Sequence, residues 1–197
     1  MSNFVFLVGH PGSGAVHLYN SLTSSPAVAG TKDPGESNFT LVSQLDNLAV
    51  AGRINKPMSR RWLYLLADNS YVAKHLYPCC QFVIVVREPN AAISAAIAAG
   101  DNDPMTLATR YCSRLLRLCE MARDAPGALL ATHESIADGS ALRGLREKLG
   151  VGYCSNSYRD DNPQRIKDSG PLATCRLMYA KCLDYLGRHC RQANAVS

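Results

Sequence analysis

Short continuous apolar runs alternate along this chain with longer stretches in which apolar positions recur every three to four residues. Phe4–Val8 is the first such run, as expected of a strand buried on both faces of a parallel sheet. Ala27–Gly30 is a shorter candidate, Gln81-Phe-Val-Ile-Val-Val-Arg87 the clearest strand signal, and Ala128-Leu-Leu-Ala-Thr132 a further one. Val16, Leu18 and Leu22 carry helical spacing, Phe39–Leu48 reads as a second helix, and Pro57 to Leu76 as a longer one with Trp62, Leu63, Tyr64 and Leu66 on its packed face. Ala91–Ala99 predicts an alanine-rich helix. Asp103–Arg123 predicts an amphipathic one with Leu107, Tyr111, Leu115 and Leu118 inward and Arg110, Arg114 and Arg117 outward. A helix over Ser140–Leu149 stops at Gly150, and the last starts near Pro171, a favourable first-turn position, and runs to Cys190. Thr31–Phe39 and Tyr153–Gly170 are polar and loop-like. Strands alternating with helices predict a three-layer α/β protein, a mostly parallel sheet flanked by helices with right-handed crossovers. With no internal repeat, low-complexity segment or linker, residues 1–197 read as a single domain.

Composition narrows this only in part. An apolar fraction of 47% with 19% charged residues fits a soluble globular chain. The net charge of +5 comes from scattered basic residues, which suits a small polyanionic ligand and not a nucleic-acid stripe. The N-terminus has neither a basic region nor a long apolar segment, so no signal peptide or membrane span is expected and a cytoplasmic location is. The eight cysteines include no Cys-x-x-Cys unit; Cys79 and Cys80 are adjacent, and Cys112/Cys119 and Cys175/Cys182 are seven apart. Reduced thiols packed in the core are the expectation, and no metal site is.

The turn after the first strand changes the picture most. Gly9, Gly12 and Gly14 follow the apolar run, with His10, Pro11 and Ser13 between them and a helix start beyond. Glycines allow successive N–H groups to point inward, and a helix N-terminus adds partial positive charge, so this is the layout of a phosphate cradle. The alternative is a tight turn with no ligand. Gly9 and Gly14 have the spacing of a Walker A loop, but Ala15 and Val16 stand where its lysine and hydroxyl are required, which does not fit an ordinary ATPase or kinase. Arg87, ending the clearest strand, is placed over the ligand crevice of a parallel sheet; the alternative is a salt bridge to Glu88 or Asp33.

In these residues the chain resembles the PAPS-dependent sulfotransferases, which use 3′-phosphoadenosine 5′-phosphosulfate on a P-loop-like fold. Pro11-Gly-Ser-Gly-Ala-Val16 is similar to the family's first loop, Pro-Lys/Arg-Ser-Gly-Thr-Thr in many members. Phe82-Val-Ile-Val-Val-Arg-Glu-Pro-Asn-Ala-Ala-Ile-Ser94 is similar to its strand, Arg-Asp/Glu-Pro and serine-bearing helix. Leu129-Leu-Ala-Thr-His-Glu-Ser-Ile136 and Lys148-Leu-Gly resemble its later Tyr-Glu-Asp-Leu and Phe-Leu-Gly segments, and Glu36-Ser-Asn-Phe39 an acidic segment of its carbohydrate-type members. The ordered set spans nearly the whole chain. The departures are equally specific: Gly12 replaces the loop cation, Ala15 and Val16 the hydroxyl pair, His17 the following aromatic, and the Arg87-to-Ser94 interval is one residue short.

The resemblance implies a PAPS-dependent sulfotransferase acting on a hydroxyl or amine of a small-molecule or carbohydrate acceptor. Pro11, Gly12, Ser13, Gly14, Ala15 and Val16 then form the phosphosulfate loop. Arg87 and Ser94 hold the 3′-phosphate, and Arg165 or Lys167 closes over it. Glu36 is the first candidate for the base, with His10 and His17 behind it, and Lys32 is the replacement for the missing cation. PAPS/PAP is the expected co-substrate, with no metal, nucleic-acid or membrane partner; homo-oligomerisation is left open. The alternatives are a catalytically silent PAP- or nucleotide-binding module and a divergent P-loop small-molecule kinase.

Overall fold

A computed structural model describes residues 4–10, 12–32, 61–66, 81–98, 103–155, 158 and 170–193. The predicted helix over Phe39–Leu48, the loop segment with Glu36, and Pro11, Cys79, Cys80, Arg165 and Lys167 lie outside them.

The apolar runs form strands β1 (Phe4–Gly9), β2 (Val28–Lys32), β3 (Arg61–Leu66), β4 (Gln81–Val86), β5 (Leu129–Thr132) and a short β6 (Arg191–Gln192). Every pairing is parallel, in the order β2-β3-β1-β4-β5-β6. The helices are α1 (Ala15–Thr23), α2 (Pro89–Ala98), α3 (Pro104–Asp124), α4 (His133–Ala137), α5 (Ser140–Leu149) and α6 (Gly170–His189).

Alternation along the strands explains the three layers. Phe6 and Val8 of β1, with Phe82, Ile84 and Val86 of β4, enter one core with α2, α3 and α6. Val5, Leu7, Val83 and Val85 enter the opposite core with α1, α4 and α5. A strand covered on both faces has no polar side, so its sequence is continuously apolar. Two expectations are corrected. Arg61–Leu66 is a central strand, paired residue for residue with β1 and β2, not part of a helix. Six residues are too few for periodicity to separate the two, and Trp and Tyr favour the strand. Arg114 is only 9% exposed, not outward, because it lies three residues from Tyr111 and four from Leu118, on α3's inward stripe.

Local chemistry fixes the helix starts. Asp103 accepts from the Met105 and Thr106 amides at the start of α3, with Pro104 at the first helical position. At α4, Thr132 and Ser135 cap each other reciprocally.

Candidate functional site

The strand order sets where a ligand crevice falls. From β1 the chain proceeds to β2 on one side of the sheet, and from β4 to β5 on the other. Connections that leave adjacent strands in opposite directions open a crevice at the strands' carboxyl ends, here between β1 and β4.

The glycine loop and Arg87 meet at that point. The Ser13 amide donates to the His10 carbonyl at 3.0 Å, closing a four-residue turn, and Gly12 has φ +72 in its third position. A Pro-Gly centre is the composition of a type II turn. Gly14 follows at φ +94 as the N-cap of α1 and has no side chain with which to cap that helix. The first-turn amides of a helix have no intrahelical acceptor, so this end is electropositive and available to an anion. One of these amides already has an acceptor, since Ala15 N–H donates to Ser13 Oγ at 3.4 Å, a long contact.

Gly12 is glycine for two reasons. Its backbone is left-handed, and a Cβ there would lie 2.4 Å from the Ala92 carbonyl oxygen of α2. No cation can be carried at this position without moving the loop or the helix. Gly14 differs, since a Cβ would meet only the side chains of His133 and Ile136, at 3.2 and 3.5 Å.

Arg87 reaches the loop from β4. Its Nη1 donates to the Gly12 carbonyl at 3.2 Å, while its buried Nε has no hydrogen-bond partner among the described residues. Its backbone is held on both sides: the amide donates to His10 Nε2 at 3.0 Å, and the carbonyl accepts from Tyr111 Oη at 2.7 Å. The His10 and Tyr111 rings meet edge to face at 4.6 Å between centroids. Burial, above all, raises the Tyr111 phenol far above its ordinary value, so it remains a donor. Of the two salt-bridge partners weighed for Arg87, Asp33 lies outside the described residues, and Glu88 accepts from the Ala91 amide at 3.1 Å and stands 3.9 Å from Arg176.

The sequence-predicted residues thus separate. Gly12, Ser13, Gly14, Ala15, His10 and Arg87 come together, but His10 is 3% exposed and its Nε2 lone pair is taken by the Arg87 amide. That makes it a strut between β1 and β4, poorly suited to be a base. The Ser13 amide is likewise spent inside the turn. Ser94 is 5% exposed on α2, and its hydroxyl has no hydrogen-bond partner among the described residues. Val16 is half exposed. Lys32 ends β2, separated from β1 by β3 and so by about 9–10 Å.

His17 lies edge to face with Tyr158 at 5.6 Å, and Tyr158 Oη lies 3.3 Å from His133 Nε2. Of these rings, that of His133 lies against Gly14, where an added Cβ would come 3.2 Å from its Cδ2. His133, Tyr158 and Tyr111 are not among the candidates read from the sequence. For His133 the signal was present, because it follows β5 directly, the position that singles out Arg87 after β4. Tyr111 and Tyr158 carried none, since their partners are distant in the chain.

No known family's sequence profile matches this chain, and no curated protein matches it. Among solved structures it is similar to mouse sulfotransferase SULT7A1 complexed with PAP, with a TM-score of 0.47 and 14% identity. The likeness covers 89% of this chain and 63% of that one, so the chain spans less than two thirds of that protein's length.

Proposed function

We propose that the Gly12–Ala15 loop binds the 5′-phosphosulfate of PAPS and that the chain transfers its sulfuryl group to a hydroxyl or amine of a small-molecule or carbohydrate acceptor. The observation that carries this reading is the glycine-capped N-terminus of α1, set at the β1/β4 crevice with the Arg87 guanidinium on the same loop. Amides and guanidinium supply donors to a doubly charged ligand, and the absence of lysine and hydroxyl at Ala15 and Val16 argues against magnesium-bound triphosphate.

In the reaction the acceptor oxygen or nitrogen attacks sulfur, the bond from sulfur to the bridging phosphate oxygen breaks, and PAP leaves. Loop amides stabilise charge growing on that oxygen. Arg87 presents the rest of its donor fork, and Ser94 its unspent hydroxyl, to the 3′-phosphate, with Arg165 or Lys167 closing over it. Glu36 remains the first candidate to take the acceptor proton, with His17 second, and Lys32 the candidate to offset charge at the phosphosulfate.

One observation favours a second reading, a PAP-binding module without transfer. Position 12 cannot hold the cation that the resembled family places there. Thermal shift with PAP, ATP plus magnesium, and GTP tests binding. At a hundredfold excess over Kd, PAP should raise Tm by about 5–10 °C, from about 2.7 kcal/mol of linkage. Stabilisation by magnesium-ATP but not PAP would discard the proposal; PAP binding without PAPS turnover selects the second reading.

A further inference from the structure

Away from the crevice, the α3/α6 interface carries an arrangement that the proposed reaction does not use. Cys112 and Cys119 lie on α3, Cys175 and Cys182 on α6. A spacing of seven is close to two helical turns, so each helix presents both its thiols on one face. Cys112 meets Cys175 and Cys119 meets Cys182, both across 63 residues of sequence, so the thiols pair rung by rung.

The two rungs differ. Cys112 Sγ and Cys175 Sγ stand 3.5 Å apart, whereas Cys119 Sγ points at the Cys182 carbonyl oxygen, 4.0 Å away. The thiols of Cys119 and Cys182 also interact with each other, but the sulfur–sulfur separation of 3.5 Å stands at the first rung, where bond formation requires closing to about 2.05 Å. Its members also differ in access, Cys112 being half-buried and Cys175 1% exposed.

We propose that Cys112 and Cys175 form a reversible disulfide site, oxidised by low-molecular-weight disulfides such as glutathione disulfide. The Cys112 thiolate attacks one sulfur of the reagent, forming a mixed disulfide and releasing one glutathione thiolate. Cys175, having lost its proton, then attacks the Cys112 sulfur, closing the intramolecular bond and releasing the second glutathione. The protein gives up two electrons and two protons, and the reagent becomes two thiols. Accessibility sets this order, because Cys112 is half-buried whereas Cys175 is 1% exposed. Burial first, and the neighbouring Cys112 next, raise the Cys175 thiol well above its ordinary value, which makes the second exchange the slower one.

The bond would staple α3 to α6 one residue from Tyr111, whose hydroxyl holds the Arg87 carbonyl. It would also close a segment of 63 residues, and the lost unfolded-state freedom should raise Tm by on the order of 10 °C. Neither consequence depends on the sulfuryl-transfer reading.

The test incubates the purified full chain in mixtures of reduced and oxidised glutathione, then quenches with acid, alkylates, and measures intact mass and a peptide map. The expected product is lighter by one pair of hydrogens, joins the Cys112 and Cys175 peptides, and reverts with dithiothreitol. A Cys119→Ser/Cys182→Ser variant should still form it, while Cys112→Ser should lose both the product and the rise in Tm. A glutathione adduct that stops at Cys112, a bond through Cys79 or Cys80 instead, or a protein that stays reduced in every mixture would each overturn the proposal. If Cys112→Ser fails to fold, the wild-type peptide map decides alone.

Discussion

Substituting alanine at four glycines separates backbone conformation from close approach, the two demands made at Gly12. An added Cβ at Gly152 would have no described residue within 4 Å, and its φ is not left-handed, so Gly152→Ala is the baseline. Gly127 has φ +89, and an added Cβ would have nothing among the described residues within 4 Å, so Gly127→Ala isolates the left-handed backbone, about 1–2 kcal/mol. Gly14→Ala has the same backbone term at φ +94, plus contacts at 3.2 Å and beyond that side chains can relieve. Gly12→Ala combines φ +72 with a Cβ placed 2.4 Å from a backbone oxygen and 3.1 Å from two backbone carbons of Ala92. Relieving that overlap moves the loop or α2, an overpacking cost of a further 1–3 kcal/mol or about that, and loosens the Arg87–Gly12 contact. Urea denaturation should therefore rank Gly12→Ala as the most destabilising, by about 2–5 kcal/mol, with Gly14→Ala close to Gly127→Ala and Gly152→Ala near neutral. Equal losses in Gly12→Ala and Gly127→Ala would refute the close approach, and with it the reason given for the missing cation.

Tyr111→Phe removes the 2.7 Å hydrogen bond to the Arg87 carbonyl and should cost about 1–2 kcal/mol in urea; an unchanged midpoint and slope would contradict the hold that Tyr111 has on the Arg87 backbone. Arg87→Ala should weaken PAP binding by about 2–3 kcal/mol in a folded protein, and unchanged affinity by calorimetry would remove Arg87 from the site. The Asp103 carboxyl is held below its ordinary value, first by the Thr106 side chain and then by the Met105 amide. A depressed folded pKa stabilises above the unfolded pKa, and the contribution fades as pH falls through the folded one. Any Tm advantage of wild type over Asp103→Asn, which cannot titrate, should accordingly narrow as pH falls below the ordinary carboxylate range; a gap widening with acid would reverse the assignment.

The sequence was most legible where one interaction dominated. Strands β1, β4 and β5 are apolar on both sides because both faces are covered, and α3, α5 and α6 carry helical spacing with Pro or Gly at their ends. β3 was hidden because five apolar and aromatic residues after Arg61 fit either period, and its pairing between β1 and β2 decides. At the site, the glycine loop could be read because φ > 0 demands glycine. Its packing on the Ala92 carbonyl could not, since nothing in the sequence links residue 12 to residue 92. The same holds for His10: a histidine beside a glycine loop looks like chemistry, and only its burial and its bond to the Arg87 amide make it structural. Arg114 shows the converse, a charge assigned to solvent by its chemistry and buried by its position on the helix.

The central claim is that the loop from Gly12 to Ala15 is an anion site for the phosphosulfate end of PAPS. Titrating isotope-labelled protein with PAP and following backbone amide resonances tests it residue by residue. The account predicts that the Gly12, Gly14, Ala15 and Val16 amides shift together and saturate with one dissociation constant, which Arg87→Ala raises. The Ser13 amide, engaged with the His10 carbonyl, should move least within the loop. Saturable shifts confined to other parts of the chain, with these amides unmoved, would contradict it.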